Sequence, residues 1–313
     1  MRSTSGRPDG TSSPRARLRA LLDSGELVVA PGVFDGLSAS LVARTGFRAA
    51  YMTGAGVAVA GFGLPDIGLV TQTEMTERAR VLVRALGDVP LIADADTGYG
   101  APINVVRTVR EFEAAGAAAI QLEDQAFPKK CGHLPDKELV PVEEFLATLS
   151  AALEARTDPD LTIVARTDAR GPLGLDAAIE RANAYAAAGA DVIFVEAPET
   201  AEEIERIAKE VSAPLLINMV QGGLTPDTPA ERLADLGYRI AIHPGVALGA
   251  TAMAMLGALA ELGGALPEEP DTSGWPASGP AALFRLVGLT EWTDIGERHR
   301  TDRTIGSSEP TWA

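Results

Sequence analysis

Residues 90–124 read PLIADADTGYGAPINVVRTVREFEAAGAAAIQLED and contain one strand–helix–strand unit. The runs at 90–96 and 118–124 are almost continuously apolar and end in acidic residues, a pattern typical of strands buried on both faces of a parallel sheet. Between them, Val105, Val109 and Phe112 recur at helical spacing. This stretch therefore predicts a parallel α/β architecture.

Six more apolar runs of the same kind accompany this unit and bring the number of predicted strands to eight. They lie at 27–35, 49–54, 162–169, 192–197, 214–220 and 239–244. Helical, Ala-rich segments such as 175–190 separate them, so the pattern fits a TIM (β/α)8 barrel. An open doubly wound sheet is the alternative. We favour the barrel because no GxGxxG motif follows the first run and polar residues end every run, and all those ends meet only in a barrel.

The segments outside the strand pattern set the predicted boundaries. Residues 1–15 are rich in Arg, Ser, Gly and Pro and predict a disordered tail, and residues 16–262 form the predicted barrel domain. Residues 263–313 predict a Pro/Gly-rich linker and one amphipathic helix at 281–298, packed on the barrel or on a neighbouring subunit. The longest apolar run, 246–260, is too short to span a bilayer.

Composition excludes several classes of function. The chain has 43 acidic and 27 basic residues, and its formal net charge of −16 makes it a poor candidate for nucleic-acid binding. Its single cysteine excludes a disulfide framework and a multi-cysteine metal site. With neither a secretory signal nor a membrane segment in the sequence, we expect a cytoplasmic protein.

Acidic residues gather where the predicted strands end. Asp94 and Asp96 close the third strand and are expected to point to the same side, Glu123 closes the fourth, and Asp66 follows the second. Carboxylates are the ligands that Mg²⁺ prefers, and such a cluster repels itself without a cation. A single acid would more simply cap a helix, but this group favours a metal site. The remaining strand ends carry Arg166, Asp168, Glu196, Asn218 and His243.

The loop after the fourth strand, Pro128 to Pro135, carries the most distinctive local signal, and we call it the gating loop. Three of the four lysines lie at 129, 130 and 137, around Cys131 and His133. Cationic neighbours lower the pKa of a thiol, so the pattern predicts a reactive cysteine on an exposed loop that closes as a lid. No lysine ends a strand, which argues against a Schiff-base aldolase.

Small residues follow the second strand in the sequence Thr53-Gly54-Ala55-Gly56. Backbone N–H groups in such a segment can approach a carboxylate closely. An ordinary tight turn explains the same spacing, so both interpretations stay open.

Taken together, these motifs resemble the isocitrate lyase/phosphoenolpyruvate mutase superfamily. The segments that carry the resemblance are DADTGYG at 94–100, QLEDQ at 121–125, KKCGH at 129–133 and ARTDA at 165–169. The resemblance implies a TIM barrel, Mg²⁺ with Mn²⁺ as a substitute, and a small carboxylate substrate. It also implies a homotetramer, arranged as a dimer of dimers, in which the C-terminal helix exchanges between subunits.

The resemblance also implies a role for each matching residue. The implied metal residues are Asp94, Asp96 and Glu123, partly through water. The implied substrate-binding residues are Thr53, Gly54, Ala55, Asp66, Arg166, Glu196 and Asn218. The implied catalytic residues are Cys131, Arg166, Tyr51, Lys129 and His133.

By the same resemblance, the predicted activity is a Mg²⁺-dependent carbon–carbon lyase. It would cleave a 2-hydroxy di- or tricarboxylate, of the 2-alkylmalate or 2-methylisocitrate type, to an α-keto acid and a second carboxylic acid, with Cys131 as proton donor. The segment NMVQGGLTP at 218–226 resembles dimethylmalate lyases and carboxyphosphonoenolpyruvate phosphonomutase more than methylisocitrate lyases. A phosphonomutase, an oxaloacetate-type hydrolase, and a barrel that binds a ligand without catalysis are the alternatives.

Overall fold

The computed structural model describes residues 12–265 and 279–299 and contains a closed barrel of eight parallel strands in chain order. This confirms the predicted TIM-barrel class. The strands are β1 Val28–Val33, β2 Ala50–Met52, β3 Leu91–Asp94, β4 Ala119–Glu123, β5 Thr162–Thr167, β6 Val192–Val195, β7 Leu215–Asn218 and β8 Ile240–His243.

Helices surround the barrel, and two more follow it near the C-terminus. They are α1 Pro14–Asp23, α2 Gly36–Arg44, α3 Gly54–Val57, α4 Gln72–Leu86, α5 Pro102–Ala115, α6 Val142–Ala155, α7 Arg170–Leu173, α8 Leu175–Ala187, α9 Ala201–Glu210, α10 Ala230–Leu236, α11 Val246–Glu261, α12 Pro280–Leu286 and α13 Leu289–Arg298. A single π-helical turn, Ala58–Phe62, continues α3.

The strand residues are buried on both faces, which is why their runs are apolar without alternation. One cluster of buried side chains fills the barrel interior, and a larger one packs between the strands and the helices. Leu18 and Leu22 of α1 belong to the interior cluster, which places α1 across one end of the barrel. The strand ends that carry the polar residues therefore form the open mouth.

The structure differs from the sequence-based prediction in two details outside the strands. Helix α1 begins at Pro14, capped by the Ser13 side chain, inside the segment predicted as a tail; residues 1–11 lie outside the described residues. The single helix predicted at 281–298 is two helices, because Gly288 adopts a positive φ of 85° between α12 and α13. Most of the predicted linker, 266–278, also lies outside the described residues, as does the chain after 299.

The apolar run at 246–260 forms most of α11 and packs beside β1. No helix in the described part of the chain has the length and apolar character needed to cross a bilayer.

Candidate active site

A pocket with an empty volume of about 770 Å³, including its part open to solvent, lies at the carboxyl ends of the strands. Tyr51 of β2, Asp94 of β3, Arg166 of β5 and Asn218 of β7 line it, and Cys131 of the gating loop covers it. The structure thus brings residues from four strands and one loop to the same cavity, as the barrel prediction requires.

Asp94 and Asp96 approach each other through a turn at the end of β3 and not through strand alternation. Asp94 is the last residue of the strand, whereas Asp96 has a positive φ of 47°. The backbone N–H of Asp96 donates to Asp94 Oδ1 at 3.2 Å. A methyl group placed on Gly54 would lie 2.7 Å from Asp94 Oδ2 and 3.6 Å from Asp96 Oδ1. The expectation that alternation aligns them is wrong, but both carboxylates do converge beside Gly54.

The carboxylates at this mouth fit a divalent cation. Burial raises the pKa of Asp96 to about 6. The negative charge of Asp94 also raises it, whereas the positive charge of Lys129 lowers it. Burial also raises the pKa of Glu123, whose Oε1 has no hydrogen-bond partner. A bound cation would lower both pKa values and satisfy the unpartnered oxygen, and oxygen donors of this kind suit Mg²⁺.

No three His, Cys, Asp or Glu side chains within residues 12–265 and 279–299 form a group that could hold a metal ion by themselves. Mg²⁺ commonly keeps several waters and binds proteins through one or two carboxylates. The predicted ligand set of Asp94, Asp96 and Glu123 therefore stays a prediction, with water and substrate oxygens completing the shell.

The gating loop lies directly on the site. Lys129 is 4% exposed, and its ammonium contacts the carboxylates of Asp66 and Asp96, at 2.7 Å from the latter. Cys131 N donates to the Asp66 carbonyl at 3.0 Å. Gly132 packs so closely that a Cβ there would lie 2.4 Å from Arg166 Nη2. Because only a residue without a side chain fits at that approach, Gly132 allows the loop to seat.

The electrostatic prediction for Cys131 is wrong. Burial raises the pKa of its thiol to about 12, helped by Asp66 and opposed by the Lys129 charge. The sequence suggested an exposed cationic loop, but Lys129 and Lys137 are buried in ion pairs and His133 is nine-tenths or more buried. Their carboxylate partners cancel the field that would have stabilised a thiolate. The thiol is therefore held in its protonated form at neutral pH.

Arg166 is the central cation of the pocket and is fixed by three carboxylates. Its Nε and Nη2 donate to the two oxygens of Asp168 at 2.8 and 2.9 Å. Glu123 Oε2 lies 3.2 Å from Nη1, and Glu196 Oε2 lies 3.3 Å from Nη2. Lys137 Nζ joins Asp168 to the gating loop, donating to Asp168 Oδ1 at 2.8 Å and to the Gly132 carbonyl at 2.5 Å. This network orients the guanidinium toward the cavity.

His133 fastens the gating loop to the segment after β7. The backbone N–H of Leu224 donates to His133 Nδ1 at 3.1 Å. Burial lowers the pKa of His133, which favours the neutral ring. Because Nδ1 accepts the bond from Leu224, the proton of the neutral ring is assigned to Nε2, which lies 3.6 Å from Glu196 Oε1. A Cβ on Gly223 would lie 2.8 Å from the imidazole. The imidazole therefore fits only because residue 223 is glycine.

The segment after β2 forms the short helix α3, and Ala55 and Thr53 line the pocket. Two of its N–H groups have partners within the chain: Gly54 N donates to Asp94 Oδ2 at 3.3 Å and Gly56 N to Thr53 Oγ1 at 3.1 Å. Tyr51 OH donates to Gln121 Oε1 at 3.2 Å, and burial raises the pKa of Tyr51, which keeps the phenol protonated.

Several strand-end residues lie outside the pocket lining, among them Asp96, Glu123 and Asp168, which pair with Lys129, Arg166 and Lys137. His243 is not among the lining residues, although its neighbours Ile242 and Pro244 are. Asp124 turns away to accept hydrogen bonds from Thr167 and Tyr185.

Sequence reasoning noted Asp168 and Lys137 without giving them a role in the site. It missed the pocket residues Leu283 and Phe284 of α12 altogether. Asp168 and Lys137 could have been paired from the rule that buried charges need partners of opposite sign. No periodicity in the sequence indicates which surface α12 covers.

Comparison with known proteins identifies the family of the chain. Residues 18–262 match the family model described as phosphoenolpyruvate phosphomutase. The chain is 48% identical over 280 residues to 2,3-dimethylmalate lyase of Eubacterium barkeri, covering 90% of this chain and 93% of that protein. It is 45% identical over 250 residues to 2-methylisocitrate lyase of Bacillus subtilis (strain 168), covering 79% and 82%.

Among solved structures, the chain resembles a trigonal crystal form of 2,3-dimethylmalate lyase. The TM-score is 0.78 at 36% identity, and the match covers 96% of this chain and all of that one.

Proposed function

The chain belongs to the isocitrate lyase/phosphoenolpyruvate mutase superfamily, and we propose that it is a Mg²⁺-dependent carbon–carbon lyase. Its substrate is a 2-hydroxy di- or tricarboxylate, which it cleaves to an α-keto acid and a second carboxylic acid. The observation that carries this proposal is the position of Cys131, a protonated thiol on a loop seated against Arg166 and Glu196.

Asp94, Asp96 and Glu123 would hold the metal ion, with Asp66 beside them. When bound, Mg²⁺ supplies Lewis acidity toward the hydroxyl and carboxylate oxygens of a substrate. The unpartnered Glu123 Oε1 and the raised pKa of Asp96 support this assignment.

The side chains of the pocket account for the remaining chemistry. Cleavage transfers the hydroxyl proton to a carboxylate of the pocket lining, such as Asp66 or Glu196, and breaks the C2–C3 bond. C2 then becomes the keto carbon and the electron pair of the broken bond stays on C3. The fixed charge of Arg166 stabilises the negative charge that develops on the departing carboxylate fragment. Cys131 Sγ gives its proton to C3. The seated gating loop keeps water from the reacting carbon.

The experiment is a substrate panel with and without Mg²⁺. Malate, 2-methylmalate, 2,3-dimethylmalate and 2-methylisocitrate are incubated with the protein, and carbonyl products are measured as hydrazones. We expect an α-keto acid from at least one 2-alkyl substrate with Mg²⁺ and none after chelation. Cleavage of no substrate contradicts the proposal. A phosphonate signal by phosphorus NMR from phosphoenolpyruvate would instead favour a phosphonomutase.

The proposed assembly is a homotetramer in the cytoplasm, with C-terminal helices exchanged between subunits. The support for it is the superfamily match. Light scattering coupled to size-exclusion chromatography tests the assembly, since a monomer at micromolar concentration contradicts it.

A further inference from the structure

One side of the pocket is apolar although the rest is strongly charged. Charged and polar side chains come from the ends of β2, β3, β5, β6 and β7, from Asp66 and from the gating loop, and Gln221 after β7 adds a neutral amide. The other side is formed by residues after β7, around the end of β8, in the first turn of α11 and on α12. We call it the apolar wall, and it consists of Val220, Ile242, Pro244, Leu248, Leu283 and Phe284.

Helix α12 is held against this side of the barrel by close backbone packing. Gly279, just before the helix, has a positive φ of 68°, and a Cβ there would lie 2.4 Å from the Gly222 carbonyl oxygen. Leu283 and Phe284 are 5% and 1% exposed and line the same pocket as Arg166. The helix therefore contributes part of the pocket surface itself.

The charges around the pocket leave a further carboxylate without a cation, because Asn218 and Gln221 offer it only neutral amides. Among the described residues that line it, Arg166 is the only side chain with a fixed positive charge, and Asp168, Glu123 and Glu196 already surround it. His133 is neutral, and Lys129 is paired with acids outside the apolar wall. A carboxylate against the wall would lose water and gain no cation, whereas an alkyl group there would only lose water.

We propose that the apolar wall binds an alkyl substituent of the substrate, with Leu283 and Phe284 of α12 as specificity-determining residues. This inference rests on the proposed lyase function and narrows it to alkyl-substituted malates. A substrate that turns a third carboxylate toward the wall would be poor, because that carboxylate gains no cation there.

The test compares kcat/KM for malate, 2-methylmalate, 2,3-dimethylmalate, 2-propylmalate and 2-methylisocitrate. A methyl or methylene group in an apolar pocket changes kcat/KM by roughly 10- to 200-fold. We expect 2,3-dimethylmalate to exceed malate by at least about 10-fold and to exceed the tricarboxylate. Calorimetric titration with succinate and 2-methylsuccinate, which lack the hydroxyl, should give the same order of affinity without turnover.

Leu283→Ala enlarges the pocket beside the apolar wall. The ratio of kcat/KM for 2-propylmalate to that for 2-methylmalate should therefore increase by about 10-fold. Leu286→Ala is the matched control, since Leu286 is on the same helix, 37% exposed, and absent from the pocket lining. The control should leave that ratio unchanged. If Leu283→Ala does not fold, Val220→Thr keeps the shape of a half-buried wall residue and should lower the preference for alkyl substrates.

The outcomes separate the two proposals. A protein that cleaves none of the substrates contradicts the lyase function. A protein that cleaves malate and its alkyl derivatives equally, or prefers the tricarboxylate, keeps the lyase function and overturns the role of the apolar wall. An equal shift in the Leu283→Ala and Leu286→Ala variants also overturns it.

Discussion

At the scale of single residues, the protonation state of Cys131 distinguishes this site from one with a nucleophilic thiolate. Its pKa is raised to about 12, so the thiol is neutral at pH 7 and can act as an acid. A thiolate would attack electrophiles, whereas this thiol can supply a proton to a carbanion. The ion pairs of Lys129 and Lys137 produce this difference, since they remove the free positive charge from the loop.

We predict slow alkylation of Cys131 in the folded protein. Iodoacetamide reacts with the thiolate, so the rate at pH 8 should fall well below that of an unfolded control in urea. Because the pKa is raised, the rate should keep rising with pH above 9 rather than reach a plateau. Mass spectrometry of the single cysteine measures it. A plateau below pH 8 would contradict the proton-donor assignment.

A second prediction at the scale of single residues concerns the contribution of Asp168 to the free energy of unfolding. Burial alone would raise its pKa, but Arg166 and Lys137 outweigh burial and hold the pKa well below its usual value. Replacing one partner of a buried charge pair costs about 3–5 kcal/mol, so Asp168→Asn should lose about that much free energy of unfolding at pH 7.

The pH dependence of that loss has a definite sign. A lowered carboxyl pKa stabilises the fold above the unfolded-state pKa of about 3.9, and this contribution is lost as pH falls toward the folded-state value. Urea unfolding of both proteins should therefore give a constant difference above about pH 5 and a smaller one below about pH 4. Asp176→Asn, at an exposed surface pair, is the control. A difference that grows in acid would contradict the assignment.

At the scale of elements, His133 joins the gating loop to the segment after β7. Gly223 leaves room for the His133 ring, and Leu224 N fixes its tautomer. Gly223→Ala would push a methyl group to 2.8 Å from the imidazole. We expect the gating loop to lose its contacts with the pocket. Activity should then fall by at least about 10-fold, and alkylation of Cys131 should accelerate.

The control for that variant is Gly257→Ala on α11, where a Cβ meets nothing within 4 Å. This control should leave activity and alkylation unchanged. Full activity of Gly223→Ala would show that loop closure does not depend on the close packing of His133.

The elements also show where sequence reasoning works and where it fails. All eight strands follow from their apolar runs, because burial on both faces leaves no room for polar residues. The break at Gly288 and the turn at Asp96 depend on positive φ angles, which an amphipathic pattern does not reveal. The pKa of Cys131 depends on which distant acids meet Lys129 and Lys137, and only the closed barrel decides that.

At the scale of the whole molecule, the barrel gathers acids that repel one another without a cation. Burial alone would lower the pKa of the Lys129 ammonium, but nearby carboxylates raise it above its usual value. These carboxylates belong to Asp66, Asp94, Asp96 and Glu123. An ion that binds only the folded state stabilises it by RT ln(1 + [L]/Kd), about 2.7 kcal/mol at 100 times Kd. We therefore predict that Mg²⁺ raises Tm and that chelation reverses the rise.

Asp94→Asn should abolish that Mg²⁺-dependent increase in differential scanning fluorimetry. Glu111→Gln, at an exposed pair with Arg80, is the matched control and should keep it. An equal increase in both variants would place the Mg²⁺ site elsewhere.

The whole molecule also decides what the pocket accepts. Barrel order puts β7 and β8 next to each other, and α12 returns to them from the end of the described chain. The sequence places acids at strand ends but cannot place Leu283 or Phe284 in the pocket, because their contact with it is tertiary. The carboxylate chemistry is therefore more predictable from the sequence than the substrate preference.

The most direct test of the account measures pyruvate from 2,3-dimethylmalate and Mg²⁺ with wild-type protein and Cys131→Ser side by side. Loss of a general acid lowers a rate by about 10²–10⁴-fold, so the wild type should release pyruvate and propionate, and the variant should be slower by that factor while keeping its Tm. A Cys131→Ser variant as fast as the wild type would contradict the account.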